Sequence, residues 1–400
     1  MYNIKTIEDF VVDNKTIILR IDLNLPRIRG KVSDDTRITK SLKTIEYLIA
    51  RKAKIIIIAH LGRPKGKFDI EQSLAPMADE LAKHLKRKIK FCPTTVDSKA
   101  YLMAKNLMPQ EILLLENLRF SPYEEENDFV FAQKLAKLGD LFVNDAFSCS
   151  HRAHASIVGI TKFIPSCAGF LLLDELKNIH DKLSVPKKPF TTIIGGAKVS
   201  SKLSLLSALV KKLDNLIIAG AMANSFLYAQ KYQIGKSLNE PNLANEICNI
   251  IKLAKNYNCN LLLPVDVMVV QNQATGQNIK ISNITQIDTN DNILDVGPKT
   301  VANIINIVNQ SQTLVYNGPL GKFETPPFDI STNAVARVIA DNTINKNLIS
   351  FVGGGDTIAA IKSIGLLSCY SYSSTGGGAF LEWLKGKMLP GIEVLKVFSQ

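Results

Sequence analysis

Four arginines and a set of glycine-rich turns carry the chemistry legible in this sequence. Arg37, Arg63, Arg119 and Arg152 each follow a short apolar run: 16–21, 54–59, 111–115 and 141–144. Beside them stand Asp22 and Asn24 in IDLNLP (21–26), His60, Leu61 and Gly62 in HLGRP (60–64), ENLRF (116–120) and NDAFSCSHRAHAS (144–156). A planar guanidinium binds phosphate or carboxylate through paired, charge-assisted hydrogen bonds, so four arginines converging from separate loops make a pocket for a small dianion. One arginine in such a place is more often a helix cap or half of a surface ion pair. Recurrence at four successive strand ends favours the pocket. His60 reads as an anion donor, because no H-E-x-x-H or other metal-ligand spacing surrounds it.

The second half carries glycines instead. GGAKVSSK (195–202) holds Lys198 and Lys202 one helical turn apart, and Gly220 opens GAMANSF (220–226). Asn317 and Glu324 bound NGPLGKFE, Gly354, Gly355, Asp356 and Thr357 lie in GGGDT (353–357), and Gly376 and Gly377 lie in STGGGA (374–379). Glycines let backbone N–H groups approach phosphate oxygens, and lysines neutralise them. Asp356 is the kind of single carboxylate that Mg²⁺ takes beside phosphates. One GGG is only a tight turn; several, with two lysines and an acid, indicate a nucleotide site. The pattern G-x-x-x-x-G-K-[ST] is missing, since Gln230 stands where Gly235-Lys236-Ser237 needs a glycine. No G-x-G-x-x-G opens a βαβ unit, and no H-R-D, D-F-G or G-x-S-x-G set is found.

These residues need elements to hold them. Ten β-rich runs are candidate strands: the four above and 191–194, 215–219, 260–263, 313–316, 348–352 and 370–373. Several are continuously apolar, such as 55–58, which suits parallel strands covered on both faces. Between them lie helical stripes, Leu74, Met77, Ala78, Leu81 and Leu85 behind Ser73, and Leu203, Leu206, Leu209, Val210 and Leu213. The alternation predicts an α/β fold of two Rossmann-like three-layer α/β/α domains with mainly parallel sheets, joined by a helical hinge. SVPKKP (184–189), after a helical stretch over 171–183, marks the boundary. Residues 271–292 read as a surface excursion or hairpin.

Composition sets outer limits. An apolar fraction of 46% and a charged fraction of 21% belong to a globular protein. Apolar runs of at most five residues exclude a membrane-spanning helix, and the mixed charges of the first residues do not form a secretory signal. Cys92, Cys149, Cys167, Cys248, Cys259 and Cys369 form no C-x-x-C pair, as expected of reduced thiols in the cytoplasm. The net charge of +12 admits a nucleic-acid partner as the alternative reading. Its lysines are spread along the chain, however, and a cationic cleft for phosphorylated metabolites accounts for them more locally. Steep loss of affinity with salt is the discriminator.

Taken in order, IDLNLP, DDTR (34–37), HLGRP, ENLRF, NDAF…HRAHAS, GGAKVS, DVGPKT (295–300), NGPLGKFE, GGGDT and STGGGA resemble the signature motifs of the phosphoglycerate kinase family and extend from Ile21 to Ala379. The resemblance implies a phosphoglycerate-binding domain over 1–170 with a returning tail (390–400), an interdomain helix and linker (171–189), and a nucleotide-binding domain (190–389). It implies a glycolytic and gluconeogenic kinase that moves a phosphoryl group reversibly between ATP and the carboxylate of 3-phosphoglycerate, in line, after hinge closure. Mg²⁺ accompanies ATP or ADP, and a cytoplasmic monomer with no nucleic-acid or membrane partner is expected. By motif, Asp22 and Asn24 hold the glycerate, and Arg37, His60, Leu61, Gly62, Arg63, Arg119 and Arg152 bind the substrate. Lys198, Lys202 and Gly220 serve the nucleotide phosphates. Asn317 and Glu324 face the nucleoside, Gly354–Thr357 binds the phosphate end with Asp356 on the metal, and Gly376 and Gly377 offer amides to the group in flight. Arg37, Lys198, Gly376 and Gly377 form the catalytic set. Ser148-Cys149-Ser150, Tyr316 and Gly220-Ala221 depart from the usual pattern without removing a charged group.

Overall fold

The computed structural model describes residues 3–25, 27–28, 31–32, 34–271 and 278–397. Contacts divide the chain into two compact units, one running to His180 and regaining the segment from Met388 onward, the other Asp181–Lys387.

The first unit is built on a six-stranded parallel sheet in the order Lys90–Cys92, Ile112–Leu115, Lys54–Ile58, Thr16–Arg20, Leu141–Asn144, Ser166–Ala168. Its apolar strands are buried on both sides. Ile17, Leu19, Ile55 and Ile57 pack with Ile45 and Leu48 of helix Thr36–Ala50 and with Met77 and Leu81 of helix Ala75–Leu85. Ile18, Ile56, Leu113 and Leu115 pack on the opposite face with Ala100 and Ala104 of helix Ser98–Lys105 and with Phe131 and Leu135 of helix Phe129–Ala136. Each such aliphatic side chain contributes roughly 1.5–3 kcal/mol when fully buried, which is why a run such as Ile55–Ile58 has no polar alternation. The strand Thr16–Arg20 lies between Lys54–Ile58 and Leu141–Asn144, so the chain departs from it in opposite directions across the sheet. That makes a topological switch point, and the crevice beyond the carboxyl ends there is where ligands bind in such sheets.

The second unit repeats the design in the order Asn260–Leu262, Asn215–Ile218, Phe190–Ile194, Thr313–Asn317, Ile349–Val352, Tyr372–Ser373, again all parallel. Phe190–Ile194 occupies the switch point. A three-stranded antiparallel sheet, Lys280–Asn283 against Asp266–Val270 against Asn292–Val296, is added to it. The expected excursion over 271–292 therefore supplies one strand, and its residues 272–277 lie outside the described set, as does Pro26 of IDLNLP. The three-residue strands Lys90–Cys92 and Ser166–Ala168 were not among the ten expected; both sit at sheet edges, where little apolar pattern is required.

Several helices are capped by acids from distant strands. Leu74 N donates to Glu116 (2.8 Å), Leu171 N and Leu172 N to Asp145 (2.8 and 3.2 Å), Lys299 N and Thr300 N to Asp266 (3.0 and 2.8 Å), and Ser331 N to Asp295 (3.2 Å). Helix Phe170–Leu183 is followed by 184–189 and then by the strand Phe190–Ile194. The returning segment is held in the first unit by Gly391 N donating to Ser150 O at 2.9 Å and by the bridge of Ile4 with Lys396; residues 398–400 lie outside the described set. Among the described residues no helix is long and apolar enough to cross a membrane.

Candidate active site

Three loops at the carboxyl edge of the first sheet are tied to one another by the residues singled out from sequence. Arg37 Nη1 lies 3.1 Å from Asp22 Oδ2 and donates to Asn24 O at 2.5 Å. Gly62 N donates to Asn24 Oδ1 at 2.9 Å, and Gly62 O accepts from Arg119 Nη1 at 2.8 Å. Gly62 has φ +64°, a left-handed turn that brings its amide and carbonyl to both neighbours. Leu61 is clamped by the Asn117 side chain, which accepts from its N–H at 3.2 Å and donates to its carbonyl at 2.7 Å. Arg119, only 5% exposed, has Nε 3.1 Å from Glu125 Oε1, and the same oxygen is 4.0 Å from Arg152 Nη1. One carboxylate thus bridges two site cations. Ser148, in the unusual Ser148-Cys149-Ser150 segment, donates to Asp22 Oδ2. Arg63 is exposed and shares in none of these contacts.

His60 sits at the floor of this hollow, 7% exposed, with Nδ1 3.1 Å from Arg20 Nη2. Burial, then the charges of Arg20, Arg119 and Arg152, hold its pKa well below the ordinary value, and the same causes lower His154 to about 3. Both imidazoles are therefore neutral at pH 7. Arg20 Nε donates to Ser156 Oγ at 3.1 Å, and Ser156 Oγ donates to the fully buried Glu124 at 2.6 Å. Burial raises the Glu124 pKa, while Arg20 opposes the rise. Asp22, His60 and Cys149 bring O, N and S atoms within 4.8 Å of one another, a spacing a metal ion could bridge. Arg20 Nη2 is already 3.1 Å from the His60 nitrogen and 3.6 Å from Cys149 Sγ, so a guanidinium takes the cation's place.

In the second unit the glycine turns form a ledge. Lys202 Nζ donates to Gly195 O at 2.8 Å and to Asn317 Oδ1 at 3.1 Å; Asn317 Nδ2 donates to Gly353 O at 2.8 Å; Gly318 N donates to Thr357 Oγ1 at 2.6 Å. A Cβ on Gly377 would stand 3.1 Å from Gly354 Cα, and one on Gly220 would stand 2.9 Å from Gly196 N, so side chains there would separate loops that now touch. A cavity of about 310 Å³ opens beside them, with Gly196, Gly220, Glu324 and Asp356 on its polar side and Val267 and Leu320 on its apolar side. That volume lies at the lower end of small-molecule sites. Burial lowers the Lys202 pKa to about 8, with Asp356 pulling it upward. Gly376, next to Gly377, donates its N–H to Ser374 Oγ at 3.2 Å. Nothing lies within 4 Å of a Cβ on Gly355. Lys198 is exposed and does not line the cavity.

Sequence reasoning overlooked Arg20, Asn117, Glu124, Glu125, Ser148 and Ser156. Arg20 had a signal, a lone cation ending an apolar strand just before IDLNLP. The carboxylates had none, since Glu124 and Glu125 sit in an ordinary acidic run.

Doubled open sheets with cations at one switch point and glycine amides at the other define a doubly wound α/β protein. A sequence profile described as phosphoglycerate kinase matches residues 7–387. The chain is 48% identical over 403 residues to the phosphoglycerate kinase of Orientia tsutsugamushi (strain Ikeda), covering 99% of this chain and 98% of that one. Identity to the phosphoglycerate kinase of Bartonella tribocorum is 45% over 391 residues, with 98% of each covered. The solved phosphoglycerate kinase of Coxiella burnetii aligns at 41% identity with a TM-score of 0.83, and that of Pyrococcus horikoshii OT3 at 30% with 0.86, each over 98% of both chains. The chain belongs to the phosphoglycerate kinase family.

Proposed function

We propose that this chain catalyses its family's reaction, reversible phosphoryl transfer between ATP and the carboxylate of 3-phosphoglycerate, with each ligand held by one unit. The observation that carries the reading is the linking of Arg37, Asn24, Gly62 and Arg119 by hydrogen bonds across three loops, which gathers cations at one strand-end edge. The acceptor carboxylate is already ionised at neutral pH, so no general base is needed. Catalysis consists of neutralising two anions and aligning them. Arg37, Arg119 and Arg152 supply charge, neutral His60 a hydrogen-bond donor, and Asp22 with Asn24 the glycerate contacts. Lys202 and the amides of Gly354–Thr357 and Gly377 receive the phosphates, while Glu324 reaches the ribose; the Gly376 N–H, expected to join them, is already given to Ser374 Oγ. Lys198, exposed and outside the cavity lining, is assigned to the moving group by its GGAKVS motif. Asp356 is exposed at the cavity and accepts no hydrogen bond among the described residues, so its carboxylate fits Mg²⁺. When bound, that ion neutralises phosphate charge; the chain's own part is to hold and orient it.

In-line transfer requires donor and acceptor oxygens to approach, so both ligands together should compact the molecule about residues 171–189. Equal radii of gyration with and without the ligand pair would remove that step. We infer a cytoplasmic monomer, a reading supported by six free thiols. The deciding assay couples ADP formation to ATP plus 3-phosphoglycerate; a pure, folded protein that forms no ADP refutes the function.

A further inference from the structure

We propose that Arg20 is a positioning residue for the transfer reaction: its guanidinium fixes His60 as the neutral Nε2–H tautomer, making Nε2 a constant donor to the phosphoglycerate anion. The proposal rests on the reading of His60 as a substrate contact.

Two groups approach His60 Nδ1, Arg20 Nη2 at 3.1 Å and Cys149 Sγ at 3.8 Å, and the nearer one decides the proton placement. A guanidinium carries only donors, so an Nη2 at 3.1 Å from His60 Nδ1 is a hydrogen bond only if that nitrogen presents its lone pair. The ring proton then belongs on Nε2. Protonating Nδ1 would set one N–H against another. Arg20 cannot readily turn away: it is 1% exposed, Nη1 donates to Ile21 O, and Nε donates to Ser156 Oγ at 3.1 Å. Ser156 passes its own hydroxyl proton to Glu124 Oε1 at 2.6 Å, and its N–H goes to Glu124 Oε2 at 3.0 Å. A buried cation is thus countered by a buried carboxylate one hydroxyl away, which anchors the guanidinium against the imidazole.

The groups facing His60 come from every neighbouring loop. Arg20 and Asp22 flank it from the first strand end, Arg119 from the third, and Cys149, Arg152 and His154 from the fourth. Asp22 is itself paired with Arg37 at 3.1 Å, so cations dominate and oppose a charge on the ring. Nε2 finds no hydrogen-bond partner among the described residues. A neutral donor in a pocket already rich in guanidinium groups adds direction rather than further charge, and it spares the site a proton equilibrium near neutral pH.

The first test uses the intact wild-type chain labelled with ¹⁵N-histidine, with the His60 signals assigned by their loss in H60Q. Long-range ¹H–¹⁵N spectra should show the Nε2–H pattern for His60 and no titration between pH 5 and pH 8. An Nδ1–H pattern, or a midpoint near 6.5, overturns the proposal without any further variant. The second test is the double variant Arg20→Met/Glu124→Gln, which removes both buried charges together. His60 should lose its exclusive Nε2–H pattern, and KM for 3-phosphoglycerate should rise roughly tenfold at pH 8 while kcat changes less, the scale of one misoriented hydrogen bond to a charged group. A folded double variant that keeps the Nε2–H pattern alone, with unchanged KM, would leave Arg20 only a packing role and overturn the proposal. His60→Ala separates the premise: if its KM for 3-phosphoglycerate is unchanged, His60 is no substrate contact, whatever its tautomer.

Discussion

Lys202 donates to Gly195 O and Asn317 Oδ1 from a half-buried position, and desolvation brings its pKa down to about 8 from 10.5. A phosphate chain beside the ammonium favours the charged form, so nucleotide binding should raise this pKa and draw in a proton. Titration calorimetry with ADP at pH 8.5, in two buffers of different ionisation enthalpy, should give different heats, and Lys202→Met should abolish the difference. Equal heats in the wild type refute the coupling. The stability linkage has the opposite sense to that of a stabilising ion pair. Between pH 8 and 10.5 the unfolded chain binds more protons than the folded one, so the contribution of Lys202 to stability rises with pH there. Arg37, held by Asp22 and Asn24, is proposed to stabilise the transition-state charge, so Arg37→Ala should lower kcat about 10²-fold; near-wild-type turnover in the coupled assay would remove it from the catalytic set. Charged residues in strand-end loops were legible from sequence because their type and place already imply anions. Arg20 was not, because its partners lie 40 and 136 residues away and only folding joins them.

At the level of elements, buried acids at strand ends do what local caps do elsewhere. Helix Pro298–Gln310 starts after Gly297 and has no side-chain cap of its own. Its free amides go to Asp266, which is almost fully buried and also accepts from Thr300 Oγ1 at 2.7 Å. Asp266→Ala strands those donors in an apolar setting, with an expected loss of about 2 kcal/mol. Trp383, the only tryptophan, lies in the same unit and reports its unfolding in urea; an unchanged midpoint would mean that water replaces the carboxylate without cost. This device was invisible in sequence, since the cap stands more than thirty residues before the helix it serves. The long central strands were readable for the opposite reason: burial on both faces demands an unbroken apolar run, as in Lys54–Ile58. Ser166–Ala168 has one full neighbouring strand and only a single bridge, to Thr6, on its other side, so it can be short and its residues carry no such mark.

Each unit has its own parallel sheet and its own apolar clusters. In both sheets the first strand of the unit stands at the switch point, so the same topology is used twice with different loop chemistry, guanidinium groups in one and backbone amides in the other. The duplication was readable as alternating β and α segments, yet not as a repeat of residues, because parallel packing constrains apolar pattern rather than identity. Ligand effects should divide the same way. Hydrogen exchange with 3-phosphoglycerate alone is expected to slow amides in 21–25, 60–63, 117–120 and 148–156, where Gly62 already joins Asn24 to Arg119 and Ser148 holds Asp22. ADP with Mg²⁺ alone should slow 195–202, 317–324 and 353–357, the loops joined through Lys202, Asn317 and Thr357. Protection from 3-phosphoglycerate confined to the glycine loops would mean that the cationic hollow is not its site, and the assignment of ligands to units would have to be reversed.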